Sequence, residues 1–218
     1  MLLGLVLIAC AAAIGAGCKR APAPSTRTHA VALWINGERR GQERAVSTLE
    51  AQRTTMRMDT ELRGSPALRL DAQLVLERGR AVALRVSGDA PAPLAALVDV
   101  ATTPDRTDTF PIRGPLPVHV LAALVRQSIT ATRRTFVTLP DGSVAIRACP
   151  GAEGPFTDAT CHSVTGLSSG RAFVWIDGRG ELAASVVDTP WGVLLATPRE
   201  RDAAHAALRR RFDVYSAP

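Results

Sequence analysis

The residues of this chain that could do chemistry are a cysteine pair with an adjacent histidine, a serine in a GxSxG pattern and four scattered histidines. Cys149 and Cys161 enclose eleven residues whose Pro and Gly content indicates a loop. In an oxidising compartment, a disulfide that closes a loop of this size contributes about 3 kcal/mol. The alternatives are two free thiols, or a metal site in which both cysteines and His162 supply only three ligands. The sequence therefore predicts a disulfide between Cys149 and Cys161.

The segment 166–170, Gly-Leu-Ser-Ser-Gly, matches the hydrolase nucleophile motif GxSxG, with Ser168 in the place of the nucleophile. That motif requires a strand, a sharp turn and a helix, whereas the next residues, RAFVWID, have the composition of a strand. We therefore predict a hairpin turn at this point. A serine hydrolase that uses Ser168 or His162 remains an alternative function.

The four histidines are far apart in the sequence, and HxH, HExxH and CxxC patterns are absent from it. Such short spacings are what place several ligands or a redox pair around one centre. The sequence therefore predicts no metal site, no cofactor and no catalytic residue.

The first eighteen residues form an unbroken run of apolar and small residues that ends at Cys18 and is followed by Lys19 and Arg20. This run barely crosses a bilayer of about 30 Å, and its Ala- and Gly-rich end suits a processing site. The segment 15–18, Gly-Ala-Gly-Cys, resembles the cleavage box of bacterial lipoproteins, which implies a lipid anchor on Cys18. An ordinary cleaved signal peptide and an uncleaved anchor are the alternatives. We expect the protein in the bacterial cell envelope, in the periplasm and attached to a membrane.

Charge and composition argue against a nucleic-acid partner. The formal net charge is +6, and Lys19 is the only lysine among 26 basic residues. These residues are scattered among 20 acidic ones, and aromatic residues make up only 4% of the chain, too few to stack on bases. We expect a solvated basic surface that is attracted to an anionic membrane.

From about residue 29 onward, apolar and polar residues alternate with a period of two, which is typical of antiparallel strands with one buried face. Turn signals separate the runs at Asn36/Gly37, Gly64/Pro66, Arg78/Gly79 and Gly88. Helical spacing of apolar residues occurs at 91–101 and 116–129, and a capping box at 197–200 predicts a helix at the C-terminal end.

The predicted fold class is α+β, with a mostly antiparallel, curved β-sheet, a meander or half-barrel, and two or three helices packed on it. We divide the chain into a signal peptide (1–18), a flexible tether (19–28) and a single domain (29–214). Trp34, Trp175 and Trp191 are expected in the core or along a groove, because large aromatic residues on strands usually pack.

The segment 164–211 contains TGL, then AFVWIDGRGELAASVVDTPWGVLL, then an Arg-rich run. It resembles the accessory region that precedes the catalytic barrel in some exported bacterial amidohydrolases. The matching positions are Gly166, Leu167, Trp175, Asp177, Gly178, Ala183, Ser185 and Trp191. The metal ligands of that family begin with an HxH after the first barrel strand, and a (β/α)₈ barrel takes about 250 residues. The resemblance therefore implies no catalytic residue in this sequence.

These observations lead to three hypotheses of function. The first is a non-catalytic envelope lipoprotein whose curved sheet binds a partner protein or an apolar ligand. The second is an accessory subunit or fragment that works with a separate amidohydrolase barrel. The third is the serine hydrolase named above.

Overall fold

The computed structural model describes residues 23–91, 100–104, 106–112, 114–138, 142–149, 158–167 and 170–198. Within these ranges the chain forms one large β-sheet and one α-helix, α1 (Val118–Ala131). The strands are β1 (Ser25–Ile35), β2 (Glu38–Glu50), β3 (Arg53–Leu62), β4 (Leu68–Glu77), β5 (Arg80–Asp89), β6 (Val100–Thr102), β7 (Thr109–Phe110), β8 (Thr135–Thr138), β9 (Ser143–Ala148), β10 (Ala159–Leu167), β11 (Gly170–Asp177), β12 (Leu182–Thr189) and β13 (Gly192–Pro198).

The sheet consists of two meanders that meet at its middle. Its strand order is β6-β5-β4-β3-β2-β1-β13-β12-β11-β10-β9-β8-β7. The first and last strands pair with each other in antiparallel register, from Val31 opposite Pro198 to Ile35 opposite Leu194. The pair β7–β8 is parallel, and parallel neighbours need a crossover connection. Helix α1 is that crossover.

The two meanders differ in how their faces are buried. In β4, buried and exposed residues alternate, so one face packs inward and the other is wet. In β11, by contrast, Val174 and Ile176 join the main core while Phe173 and Trp175 form a second apolar cluster on the opposite face. Strands β11 to β13 are therefore covered on both faces, whereas β8 and β9 keep exposed residues on one face.

Helix α1 lies inside the curve of the sheet and packs along β11 and β12. Nearly all of its residues are buried, and Leu121, Leu124 and Val125 are completely enclosed in the main core. Near its C-terminal end, the Gln127 Oε1 atom accepts a hydrogen bond of 2.8 Å from the Ala81 backbone N–H of β5. Among the described residues, no helix has both the length and the apolar character that crossing a membrane requires.

The sequence predicted the curved antiparallel sheet and helix α1 correctly, but the described residues contain one helix instead of two or three. The end of the helix predicted at 91–101 belongs to β6, and 92–99 lie outside the described residues. Short apolar runs do not distinguish a helix from a buried strand. Thr197, predicted to cap the C-terminal helix, is fully buried in β13, and its hydroxyl makes no hydrogen bond to a described residue. The residues after Pro198 lie outside the described part.

Two predicted boundaries also differ from the structure. Strand β1 begins at Ser25, so residues 25–28 of the predicted tether pair with β2. Gly88 does not form a turn but lies inside β5 with φ +131°, where a Cβ atom would lie 2.1 Å from the Arg69 carbonyl oxygen of β4. Glycine is needed there because neighbouring backbones approach closely, which produces the same sequence signal as a turn.

The predicted disulfide between Cys149 and Cys161 is present, with a Cα–Cα distance of 5.4 Å. It joins the end of β9 to β10, where the Cys149 N–H also donates to the Cys161 carbonyl oxygen at 3.1 Å. Because the two sulfur atoms are bonded to each other, they do not form a metal site with His162.

Replacing both cysteines, Cys149→Ser with Cys161→Ser, is expected to lower the free energy of unfolding by about 3 kcal/mol, because the cross-link no longer restricts the unfolded chain. Urea denaturation under oxidising conditions measures the difference, and dithiothreitol should bring the wild type to the level of the variant. Rapid alkylation of both thiols in the native, oxidised protein would contradict the assignment.

Candidate functional site

The candidate site begins with a carboxylate at the inward-facing position of a strand. In β2, Glu43 follows Gly41 and precedes Ala45 on the face that points toward α1, and its exposed fraction is 0%. A buried charge is costly unless hydrogen bonds replace its hydration. The structure supplies those bonds from α1 and from β3.

Four hydrogen bonds surround the Glu43 carboxylate. Its Oε2 atom accepts from the Thr60 hydroxyl and from the Val118 backbone N–H, each at 2.9 Å. Its Oε1 atom accepts from the His119 backbone N–H at 2.9 Å and contacts the ring Nδ1 of His119 at 2.7 Å. The helix begins after Pro117, which provides no side-chain cap. Glu43 therefore takes the place of a cap, and its negative charge lies at the positive end of the helix dipole.

The His119 ring connects this buried carboxylate to a second imidazole. Its Nε2 atom lies 2.9 Å from Nδ1 of His29, and the two rings meet edge to face at 75°. His119 is only 3% exposed, whereas His29, on β1, is partly exposed to a cleft beside the helix. The three side chains therefore form a hydrogen-bonded chain from the core to the cleft, which we call the Glu43–His119–His29 chain.

The cleft lies between α1, strands β1 to β3 and the turn between β11 and β12, and we call it the helix cleft. It contains a cavity of about 570 Å³ beside His29 and a neighbouring cavity of about 340 Å³ toward the end of the helix. The two cavities share the residues Arg27, Ser47, Arg126, Arg179 and Glu181. The face of α1 that lines them has helical spacing, namely His119, Ala122, Ala123, Arg126 and Thr130.

The walls of the helix cleft combine apolar side chains with charges. The apolar part includes Ala45, Leu49, Met56, Leu76 and Leu182. Asp177 orders the turn that carries two of the charges, because its Oδ1 atom accepts from the backbone N–H groups of Arg179 and Glu181 at 2.9 and 2.7 Å. Arg27 lies 3.6 Å from Glu181. The cleft therefore has three guanidinium groups against two carboxylates.

Arg126 differs from the other two arginines of the cleft. Its side chain is partly buried, and no hydrogen bond or ion pair joins its guanidinium to another residue of the described ranges. Burial lowers the pKa of Arg126, while the charge of Glu181 raises it. Arginine stays protonated in proteins, so this position presents a poorly solvated positive charge to the cleft.

Burial also lowers the pKa of His29 below its ordinary value of 6.5, and the neighbouring His119 lowers it further. The charged or titratable groups that surround His29 are His119 and Arg126 of α1, Asp177 and Glu181 of the β11–β12 turn, and Arg27 of its own strand. Asp177 and Glu181 oppose the lowering. Burial and the neighbouring His119 therefore favour the neutral form of His29 near neutral pH.

Of the residues singled out in the sequence, the three tryptophans, His162 and the disulfide lie away from this cleft, whereas Asp177 lines it. Trp34 and Trp175 pack in the second apolar cluster, on the face of the sheet opposite α1, and Trp191 packs against the main core. The ring of His162 is partly buried on β10, its Nε2 atom makes no hydrogen bond within the described ranges, and burial lowers its pKa. Within the described residues, no group of three or more His, Cys, Asp or Glu side chains is arranged to hold a metal ion.

The predicted hairpin at the GxSxG pattern is confirmed, because β10 ends at Leu167, β11 begins at Gly170, and these two residues are paired. A strand–turn–strand unit lacks the helix of a nucleophile elbow. Ser168 and Cys18 lie outside the described residues, so lipidation of Cys18 remains a prediction.

Sequence reasoning missed Glu43, His29, His119 and Arg126 as members of one site. One signal was available, since Glu43 occupies the inward phase of a strand, where an acid needs a buried partner. The partner itself lies 76 positions away, and the second histidine lies 90 positions from the first. Spacing along the chain carries no information about contacts of that range.

Comparison with known proteins finds no matching family model and no matching curated protein. Among solved structures, the chain is similar to a beta-barrel-like protein of the domain of unknown function DUF1849 from Brucella abortus. The TM-score is 0.38 and the identity 13%, over 80% of this chain and 94% of the other. At this level of similarity, neither the fold nor the function of that protein can be assigned to this chain. The resemblance to amidohydrolase accessory regions remains a prediction.

Replacing the buried carboxylate, Glu43→Gln, is expected to lower the free energy of unfolding by at least about 3 kcal/mol. The amide nitrogen would face backbone N–H groups that need an acceptor, and the charge at the helix terminus would be lost. Urea denaturation followed by circular dichroism measures the change. The matched control is Glu61→Gln on β3, which removes a surface ion pair with Arg63 and should cost less than about 1 kcal/mol. Equal losses in both variants would contradict the assigned role of Glu43.

The lowered pKa of His29 predicts a pH dependence of stability. The unfolded chain takes up this proton near pH 6.5, whereas the folded chain takes it up only at lower pH, so the unfolded state binds more protons in between. The stabilisation of the folded state that depends on a neutral His29 is complete above pH 6.5 and is lost as the pH falls below that value. Urea midpoints measured from about pH 7.5 to 5.5 should therefore fall less steeply in His29→Asn than in the wild type. Parallel curves for the two proteins would refute this.

Proposed function

We propose that this chain is an exported protein of the bacterial cell envelope, anchored by lipid on Cys18, that binds an amphiphilic ligand with an anionic group in the helix cleft. The observation that carries the binding function is the guanidinium of Arg126, which lines both cavities of the cleft without a hydrogen bond to a described residue. The membrane anchor rests on the N-terminal sequence alone.

The charge of Arg126 supports an anionic group on the ligand. A guanidinium that has lost part of its water and has no protein hydrogen bond gains from an added carboxylate or phosphate, which accepts two parallel hydrogen bonds from its planar fork. Of the remaining charges, Glu181 is already close to Arg27. Arg179 is exposed on the turn that Asp177 orders, so the partly buried positive charge of the cleft is that of Arg126.

The apolar walls support an attached hydrocarbon part. Met56 and Leu76 of the sheet and the small residues Ala122 and Ala123 of the helix border the two cavities, which adjoin along α1. Ligand sites commonly combine such apolar walls with a few polar groups that fix orientation. A chain attached to the anionic group would lie along the helix.

The test compares dodecyl phosphate with an uncharged dodecyl ether of oligoethylene glycol, both below their micelle concentrations, by isothermal titration calorimetry. Arg126→Gln should weaken dodecyl phosphate binding about tenfold and leave the uncharged probe unaffected, because a hydrogen bond to a charged group contributes about 1.5–3 kcal/mol.

The matched control is Arg69→Gln, an exposed arginine of β4 outside the cleft, which makes the same change in net charge. It should bind dodecyl phosphate like the wild type. Equal weakening in both arginine variants, or no binding of either probe, would overturn the proposal.

A further inference from the structure

The Glu43–His119–His29 chain determines whether His29 offers the cleft a hydrogen-bond donor or an acceptor. The Glu43 carboxylate only accepts hydrogen bonds, so the proton between it and His119 lies on Nδ1 of the ring. In a neutral His119, Nε2 then carries a lone pair and accepts from Nδ1–H of His29. A neutral His29 with its proton on Nδ1 has an unprotonated Nε2. No other residue of the described ranges donates to that atom.

Adding one proton to the two rings reverses the role of this atom. If His119 takes the proton, its Nε2–H donates to Nδ1 of His29, and the proton of His29 moves to Nε2. If His29 takes the proton, both of its nitrogens carry hydrogen. In either case Nε2 of His29 changes from an acceptor to a donor, whichever ring holds the charge.

The charges near His29 indicate which charge a donor that binds to Nε2 of His29 should carry. Glu181 and Asp177 line the same cavity as His29, and their charges raise the pKa of His29, against the lowering by burial, His119 and Arg126. A cationic donor beside Nε2 is stabilised by the same two carboxylates. Arg126 lines the same cavity and attracts the opposite charge.

We propose that the helix cleft takes a zwitterionic amphiphile, in which a phosphate or carboxylate pairs with Arg126 and a primary ammonium donates a hydrogen bond to Nε2 of His29. This inference rests on the proposed function and adds to it the class of the head group. The Glu43–His119 contact makes the site selective for an ammonium that carries N–H groups, because only the unprotonated Nε2 can accept.

The test compares two probes of equal charge and chain length, lauroyl lysophosphatidylethanolamine and lauroyl lysophosphatidylcholine, titrated below their micelle concentrations. The first has a primary ammonium, and the second has a trimethylammonium without a donor. The wild type at about pH 7.5 should bind the ethanolamine probe about tenfold more tightly, the difference expected for one hydrogen bond to a charged group. Once the pH is low enough for His29 to be protonated, Nε2 is a donor and the preference should disappear.

Two variants separate the hydrogen bond from the size of the head group. His29→Asn keeps a nitrogen near the position of Nδ1 but lacks Nε2, and His29→Phe lacks both nitrogens. Each variant should bind the two probes equally, because no acceptor remains at the position of Nε2. The matched control, His162→Asn, changes a histidine of β10 and should keep the wild-type preference. A preference that persists in both His29 variants would overturn the inference.

The remaining outcomes distinguish this inference from the proposed function. If the wild type binds both probes equally and Arg126→Gln weakens both, the cleft binds anionic amphiphiles and the role of His29 is wrong. If neither probe binds, both proposals are wrong. Free phosphoethanolamine is the same head group without a hydrocarbon chain. If it binds as tightly as the lysolipid, the role of His29 is retained, but the claim that the ligand is an amphiphile is wrong.

Discussion

The position of α1 inside the sheet depends on the contact between the Glu43 carboxylate and the first turn of the helix. The first backbone N–H groups of a helix lack partners within it, and Pro117 supplies no cap, so these groups would be buried unsatisfied without Glu43. The carboxylate in turn is tolerated in the core only because these N–H groups, the Thr60 hydroxyl and the His119 ring surround it. Each side of the contact therefore compensates for the cost of burying the other.

The helix cleft exists because the two sides of α1 differ in size. Large residues such as Leu121 and Leu124 fill the main core, whereas Ala122 and Ala123, at the edge of the same core, line the cleft and leave space beside β2 and β3. With its N-terminus fixed at β2 and Gln127 bonded to β5, the helix has an anchor at each end. The space beside its small residues is thus a stable feature of the packing.

The sequence predicted local periodicity well and long-range contacts poorly. Alternation in 68–76 identified β4, and the spacing of Val120, Leu121, Leu124 and Val125 identified α1, because both signals come from neighbours along the chain. The disulfide was predictable since the cysteines are close in sequence and no equal alternative partner was available. Gly88 was predicted as a turn because glycine also occurs where two strands approach closely. Thr197 was predicted as a helix cap, although it is a buried residue of β13.

The candidate site could not be predicted from the sequence, because its chemistry arises from the order of the residues in space. A cap alone requires only one acceptor, which Ser, Thr or Asp at the helix start provides in most proteins. Here the acceptor comes from β2 and also holds the ring of His119, which reaches a second ring at the cleft. The interaction that anchors α1 therefore also fixes the proton positions on two imidazoles. Without Glu43, neither the helix nor the proton positions would be fixed. The stability of the fold and the hydrogen-bonding character of the cleft therefore depend on the same buried charge.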